Sequence, residues 1–138
     1  MRQAGVVAAA GIYALDHNVA RLSEDHANAA LLARRIADIK NLQIDADNIE
    51  TNLVYFDVAG TGLSGQDFVR RLMERGVRMT SSAGPTLLRA VTHLDVSRAD
   101  VEEAARIIAE VADATAARGR VEPSRSSIAA GAATGIHP

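Results

Sequence analysis

Leu87-Leu88-Arg89-Ala90-Val91-Thr92-His93-Leu94-Asp95-Val96-Ser97-Arg98-Ala99-Asp100 runs a short strand pattern straight into a capped helix. Side chains alternate faces along a strand. Leu87, Arg89, Val91 and His93 therefore share one side, and Leu88, Ala90, Thr92 and Leu94 share the other. Arg89 is thus fixed on a mostly apolar strand, where a partly desolvated guanidinium needs a hydrogen-bonded partner. Two readings stay open from the residues alone. Arg89 forms an inter-strand salt bridge or sits at an edge with its stem packed and its head in water. Alternatively, it is a fork for a carboxylate ligand, since two parallel N–H donors match two carboxylate oxygens.

Working outward, Ser97 followed three residues later by Asp100 marks the start of the last helix. Val101, Ala104, Ala105, Ile108, Val111 and Ala112 form its buried face. On the other side, Val77-Arg78-Met79-Thr80 reads as a strand and Ser81-Ser82-Ala83-Gly84-Pro85 as a turn, so the two strands can pair as a hairpin. Before them, Ser64 caps a helix carrying Phe68, Val69, Leu72 and Met73, and Gly76 stops it. Asn52-Leu53-Val54-Tyr55-Phe56-Asp57-Val58 is the clearest strand, closed by the turn Gly60-Thr61-Gly62. Its near-continuous apolar character suggests cover on both faces. A further short strand is expected around Leu42 to Ile44.

Residues 3 to 39 are helical, with Ile12, Leu15, Val19, Leu22, His26, Ala29, Ala33 and Ile36 along one stripe. A break is expected at Asp16-His17-Asn18, with Asn18 able to cap a second helix. His26, lying on the stripe, reads as a core histidine with both nitrogens satisfied. Lys40-Asn41 closes the run with a cation near the helix C-terminal dipole. The expected fold class is α+β, a small sheet of three to four strands with helices packed on one side. The folded domain spans 1–116, and a Gly-, Ser-, Ala- and Pro-rich tail over 117–138 is expected to be largely disordered.

Composition narrows the function classes. A chain of 138 residues is large enough for one core and smaller than most complete cofactor enzymes. The formal net charge of −2, with acids and bases interspersed, gives no electrostatic footprint for nucleic acid. The absence of cysteine removes disulfides and thiolate metal sites, and fits a cytoplasmic protein. No apolar run approaches the roughly 20 residues that span a bilayer. Histidines 17, 26, 93 and 137 lack ligand spacing, so no metal site is expected, and no phosphate loop or dinucleotide fingerprint occurs.

The run Leu88-Arg89-Ala90-Val91-Thr92-His93-Leu94-Asp95-Val96-Ser97 is one of three motifs that occur in order with Met1-Arg2-Gln3-Ala4-Gly5-Val6 and Glu24-Asp25-His26-Ala27-Asn28-Ala29. Together, over roughly residues 1 to 115, they resemble the C-terminal part of threonine aldolases. These are pyridoxal-phosphate enzymes of the aspartate-aminotransferase fold type, fold type I. The resemblance implies the small domain of that fold, a lyase activity toward threonine or allo-threonine, and at least a dimer. It gives Arg89 the α-carboxylate of a β-hydroxy amino acid substrate, and gives Arg2 the cofactor phosphate of a neighbouring subunit. The glycine run that precedes the Arg2 motif in the family is missing from this sequence.

Retro-aldol cleavage breaks Cα–Cβ and needs an electron sink, which pyridoxal phosphate supplies. It also needs a lysine to hold the cofactor, a base near the β-hydroxyl and a carboxylate clamp. The single lysine, Lys40, lies at a helix end and matches nothing in the family pattern. The lysine, ring-stacking residues and β-hydroxyl histidines belong, by resemblance, to a large domain that these residues do not include. No catalytic residue is therefore assigned. The chain is expected to be a truncated or separately encoded piece, inactive alone. The alternative is a non-enzymatic module that kept the fold for binding or oligomerisation.

Overall fold

The computed structural model describes residues 2–118. Four helices and three strands follow in the order α1 (Ala4–Asn18), α2 (Leu22–Ala37), β1 (Leu53–Asp57), α3 (Gly65–Met73), β2 (Thr80–Ser81), β3 (Leu87–Val91) and α4 (Arg98–Arg118). The expected tail lies, from residue 119 on, outside the described residues.

The sheet order is β1-β3-β2, all antiparallel, so β3 is central. Its register sets Tyr55 opposite Arg89, Phe56 opposite Leu88, and Thr80 opposite Arg89 on the other flank. Leu42 to Ile44 contributes only a bridge, with the Gln43 N–H donating to the Asp57 carbonyl at 3.0 Å and the reverse bond at 2.8 Å. The second strand is shorter than the pattern of Val77 to Thr80 suggests, because pairing with β3 begins only at Thr80.

One face of the sheet carries the core. Val54, Phe56, Leu88 and Ala90 are buried against Ala29, Leu32, Ala33 and Ile36 of α2, Phe68 and Leu72 of α3, and Val101, Ile108 and Ala112 of α4. Each fully buried large side chain stabilises the fold by about 1.5–3 kcal/mol relative to exposure. The expected α+β layer with helices on one side is what forms. Ile107, which fell off the expected stripe of α4, is buried too.

Three sequence expectations are corrected. Cover on both faces of β1 does not occur: Leu53 and Tyr55 are 37% and 41% exposed, because every helix that packs on the sheet does so from the other side. The stripe through α1 is not buried. Ile12, Leu15, Val19 and Leu22 stand in solvent, α1 buries none of its residues, and His26 is exposed rather than core. The first fully buried residue is Ala29, about two turns after the break. Met73 is also exposed, since α3 ends there and its buried face stops at Leu72.

The break falls just after the expected Asp16-His17-Asn18, as a 3-10 turn over Val19–Arg21, and Asn18 makes no side-chain cap. Ser64 does cap α3, accepting the Asp67 N–H at 3.1 Å. Ser97 and Asp100 form the reciprocal box at the start of α4: the Asp100 N–H donates to Ser97 Oγ at 3.2 Å, and the Ser97 N–H donates to Asp100 Oδ2 at 2.9 Å. Gly60 is required by a close approach, since a Cβ there would lie 2.6 Å from the Asn41 carbonyl oxygen. Among the described residues, no helix is long and apolar enough to cross a membrane.

Candidate functional site

Arg89 sits at the middle of the central strand, on the face that no helix covers. Its exposure follows from alternation, which buries Leu88 and Ala90 and sends Arg89 and Val91 the other way. Rigid pairing on both sides holds its backbone, and Thr80 Oγ1 donates to its carbonyl at 3.4 Å. Among the described residues no ion pair or hydrogen bond engages the guanidinium. The inter-strand salt bridge is therefore not formed, and the edge position does not apply to a central strand.

The open-face surface around Arg89 is a shallow depression of about 220 Å³ lined by Arg78, Met79, Thr80, Arg89, Val91 and His93. No acid lines it. His93 lies just beyond β3, and its Nδ1 accepts the Asp95 N–H at 3.3 Å while standing 3.8 Å from Asp95 Oδ2. The depression can receive an anion, and Arg89 is the group whose planar fork fits a carboxylate.

Part-buried hydrogen bonds fix the far end of β3. Thr92, 2% exposed, donates its hydroxyl to the Asp25 carbonyl at 2.7 Å. Asn52 Nδ2 donates to the Thr92 carbonyl at 2.7 Å, and the Thr92 N–H returns a bond to the Asn52 carbonyl at 3.0 Å. Asn28 Nδ2 donates to the Val96 carbonyl at 2.9 Å. Two motifs far apart in the chain, Glu24 to Ala29 and Leu88 to Ser97, are thus joined, and their shared role here is to set the strand that carries Arg89.

Several arginines on the helical side are, by contrast, paired with acids. Arg75 and Arg106 both engage Glu110, and Arg106 Nε donates to Glu103 at 2.8 Å. Glu103, hydrogen-bonded by Arg106, is held below the usual carboxylate range, as is Glu110 by Arg75 and then Arg106.

Arg2 is exposed at the start of the chain, and no bond or ion pair ties it to the Arg89 depression. The structure therefore does not bring the two sequence-selected arginines together. Lys40 is exposed beyond the end of α2 and does not line the depression. Sequence reading missed Arg78 and Tyr55 as neighbours of Arg89. Arg78 precedes by two residues the Thr80 that pairs with Arg89, and lines the same depression.

Known proteins resemble this chain in sequence and in fold. Residues 1–59 match the family model described as beta-eliminating lyase. Over 107 residues the chain is 41% identical to the low specificity L-threonine aldolase of Escherichia coli K12, covering 76% of this chain and 29% of that enzyme. It is 31% identical over 102 residues to low-specificity L-threonine aldolase 1 of Arabidopsis thaliana, covering 73% and 28%. The chain thus spans less than a third of the length of these relatives. Among solved structures, MppP soaked with the product 2-ketoarginine superposes with a TM-score of 0.57 at 16% identity, over 72% of this chain and 30% of that one. A C-DES mutant with glycine covalently linked to the PLP cofactor gives 0.54 at 24% identity, over 66% and 23%. These two share the fold. The chain is homologous to part of the low-specificity L-threonine aldolases, as the three motifs indicated.

Proposed function

We propose that residues 1–116 are the small, carboxylate-binding domain of a threonine aldolase-type lyase that cleaves a β-hydroxy amino acid to glycine and an aldehyde. The observation that carries this reading is the unpaired Arg89 guanidinium on the open face of a rigid central strand. Pyridoxal phosphate, when bound, supplies the electron sink for the pair left at Cα. Arg89 holds the substrate α-carboxylate through two parallel N–H bonds, which fixes the orientation of the Cα substituents. A charge-assisted bond of this kind is worth about 1.5–3 kcal/mol. Arg2, a solvent-facing cation without an acidic partner among the described residues, suits one contact to the cofactor phosphate in a neighbouring subunit. His93 helps to order the rim of the depression.

The remaining groups come from elsewhere. Lys40 is exposed and does not line the depression, so on this reading the 138 residues alone do not hold the cofactor covalently or turn over threonine. A large cofactor-binding domain or subunit, in a homo-oligomer, covers the open sheet face and α1. The exposure of Val6, Ile12, Tyr13 and Leu15 supports this, because a helix apolar on all sides is normally buried. The same exposure is what a purely structural assembly module would show.

Ligand-observed NMR with L-threonine and its methyl ester tests the carboxylate clamp. L-threonine binds, the ester does not, Arg89→Ala abolishes binding and Arg89→Lys keeps a weaker form. Equal binding of acid and ester contradicts the reading and leaves the structural module.

A further inference from the structure

We infer that Arg78 is a specificity-determining residue of the same depression, which takes amino acids bearing a second carboxylate on the side chain. This rests on reading Arg89 as the α-carboxylate clamp. The β2–β3 pairing begins with Thr80 opposite Arg89, and Arg78, two residues before Thr80, lines the same depression as Arg89. Both arginines line the 220 Å³ depression together with His93 and Thr80.

Charge pairing elsewhere in the fold makes this arrangement informative. Arg21, Arg35, Arg70, Arg75, Arg98 and Arg106 each have an acidic partner. Arg78 and Arg89 have none among the described residues, nor do Arg2 and Arg34. Arg78 and Arg89, however, converge on one concavity with no acid on its wall. Two cations facing one concavity repel each other until a dianion spans them. A ligand with one carboxylate on Arg89 and a second reaching Arg78 relieves that repulsion, while a methyl or hydroxymethyl side chain leaves Arg78 unused.

Succinate and butyrate, equal in carbon number and differing by one carboxylate, are the probes. The full chain and its Arg78→Ala, Arg89→Ala and Arg34→Ala variants are titrated at matched ionic strength, following the amide resonances of Thr80, Arg89 and Val91. A symmetric diacid has a statistical advantage of about two-fold. An exposed charge contact adds about 0.2–1 kcal/mol, which brings the expected preference for succinate to about three- to ten-fold. Arg78→Ala reduces it to about two-fold with butyrate binding unchanged, and Arg34→Ala leaves it intact. Retention of the preference in Arg78→Ala, or an equal loss in Arg34→Ala, overturns the role of Arg78 while the clamp stands. If Arg89→Ala leaves binding of both probes unchanged, or neither probe binds, the clamp itself fails and Arg78 with it.

Discussion

The hydroxyl of Thr92 donates to the backbone carbonyl of Asp25 across 2.7 Å, joining the end of the central strand to the second helix. Thr92 is 2% exposed, while Asp25 is half-buried within α2. A hydrogen bond of this kind contributes about 0.5–1.5 kcal/mol net. Thr92→Val keeps the shape and removes the donor, so urea denaturation is expected to show a loss in that range. Thr92→Ser, which keeps the hydroxyl, is expected to lose less.

Core and surface aromatic or apolar residues separate cleanly by depth. Phe56 and Phe68 are essentially inaccessible, while Met73 is 59% exposed at the end of α3. Phe68→Ala is expected to cost about 3–5 kcal/mol through lost burial and a cavity. Met73→Ala is expected to stay within about 0.5 kcal/mol. The two denaturation midpoints check the assignment directly.

Much of this depth pattern was legible in the sequence. Period-3.6 recurrence in α3 and α4 identifies Phe68, Leu72, Val101 and Ile108 as core, and period-two alternation in Leu87 to Val91 puts Leu88 on the face opposite Arg89. The same periodicity misled in α1, because a stripe such as Ile12-Leu15-Val19 records that a face is apolar, not what covers it. His26 went wrong for the same reason. β1 was misread because Leu53 and Tyr55, apolar by type, face the side without helices. The site was half legible: the strand pattern fixed the face of Arg89, but its unpaired state and the proximity of Arg78 depend on β2 register, which residue types alone do not set.

Glycine positions give opposite expectations. A Cβ at Gly60 would press to 2.6 Å from the Asn41 carbonyl oxygen, a backbone atom that cannot swing away. Gly60→Ala is expected to cost about 1–3 kcal/mol by forcing the two turns apart. At Gly11, within α1, a Cβ meets nothing within 4 Å. Gly11→Ala is expected to raise stability by about 0.5–1 kcal/mol, the difference between the two residues inside a helix. Thermal melts of both variants decide the signs.

Acid stability should report the helix caps. The Ser97 hydroxyl and then its backbone N–H hold Asp100 below the ordinary aspartate range, and the Ser64 hydroxyl followed by Arg70 does the same for Asp67. A carboxylate lowered in the fold contributes stability that is complete above its unfolded value, about 3.9 for aspartate. That contribution is lost as the pH falls through the lower folded value. Melting temperature is therefore expected to fall on acidification below about pH 4, and to fall less in Asp100→Asn, whose melting temperature is already reduced at neutral pH. An identical acid slope in wild type and variant contradicts the assignment.

The Nε–H resonance of Arg89, followed by NMR while L-threonine is added, bears most directly on the carboxylate clamp. The account predicts a saturable shift of that resonance, with Arg34 on the outer face of α2 unmoved. No shift at Arg89, or an equal shift at Arg34, would show that the open face of the sheet does not select a carboxylate.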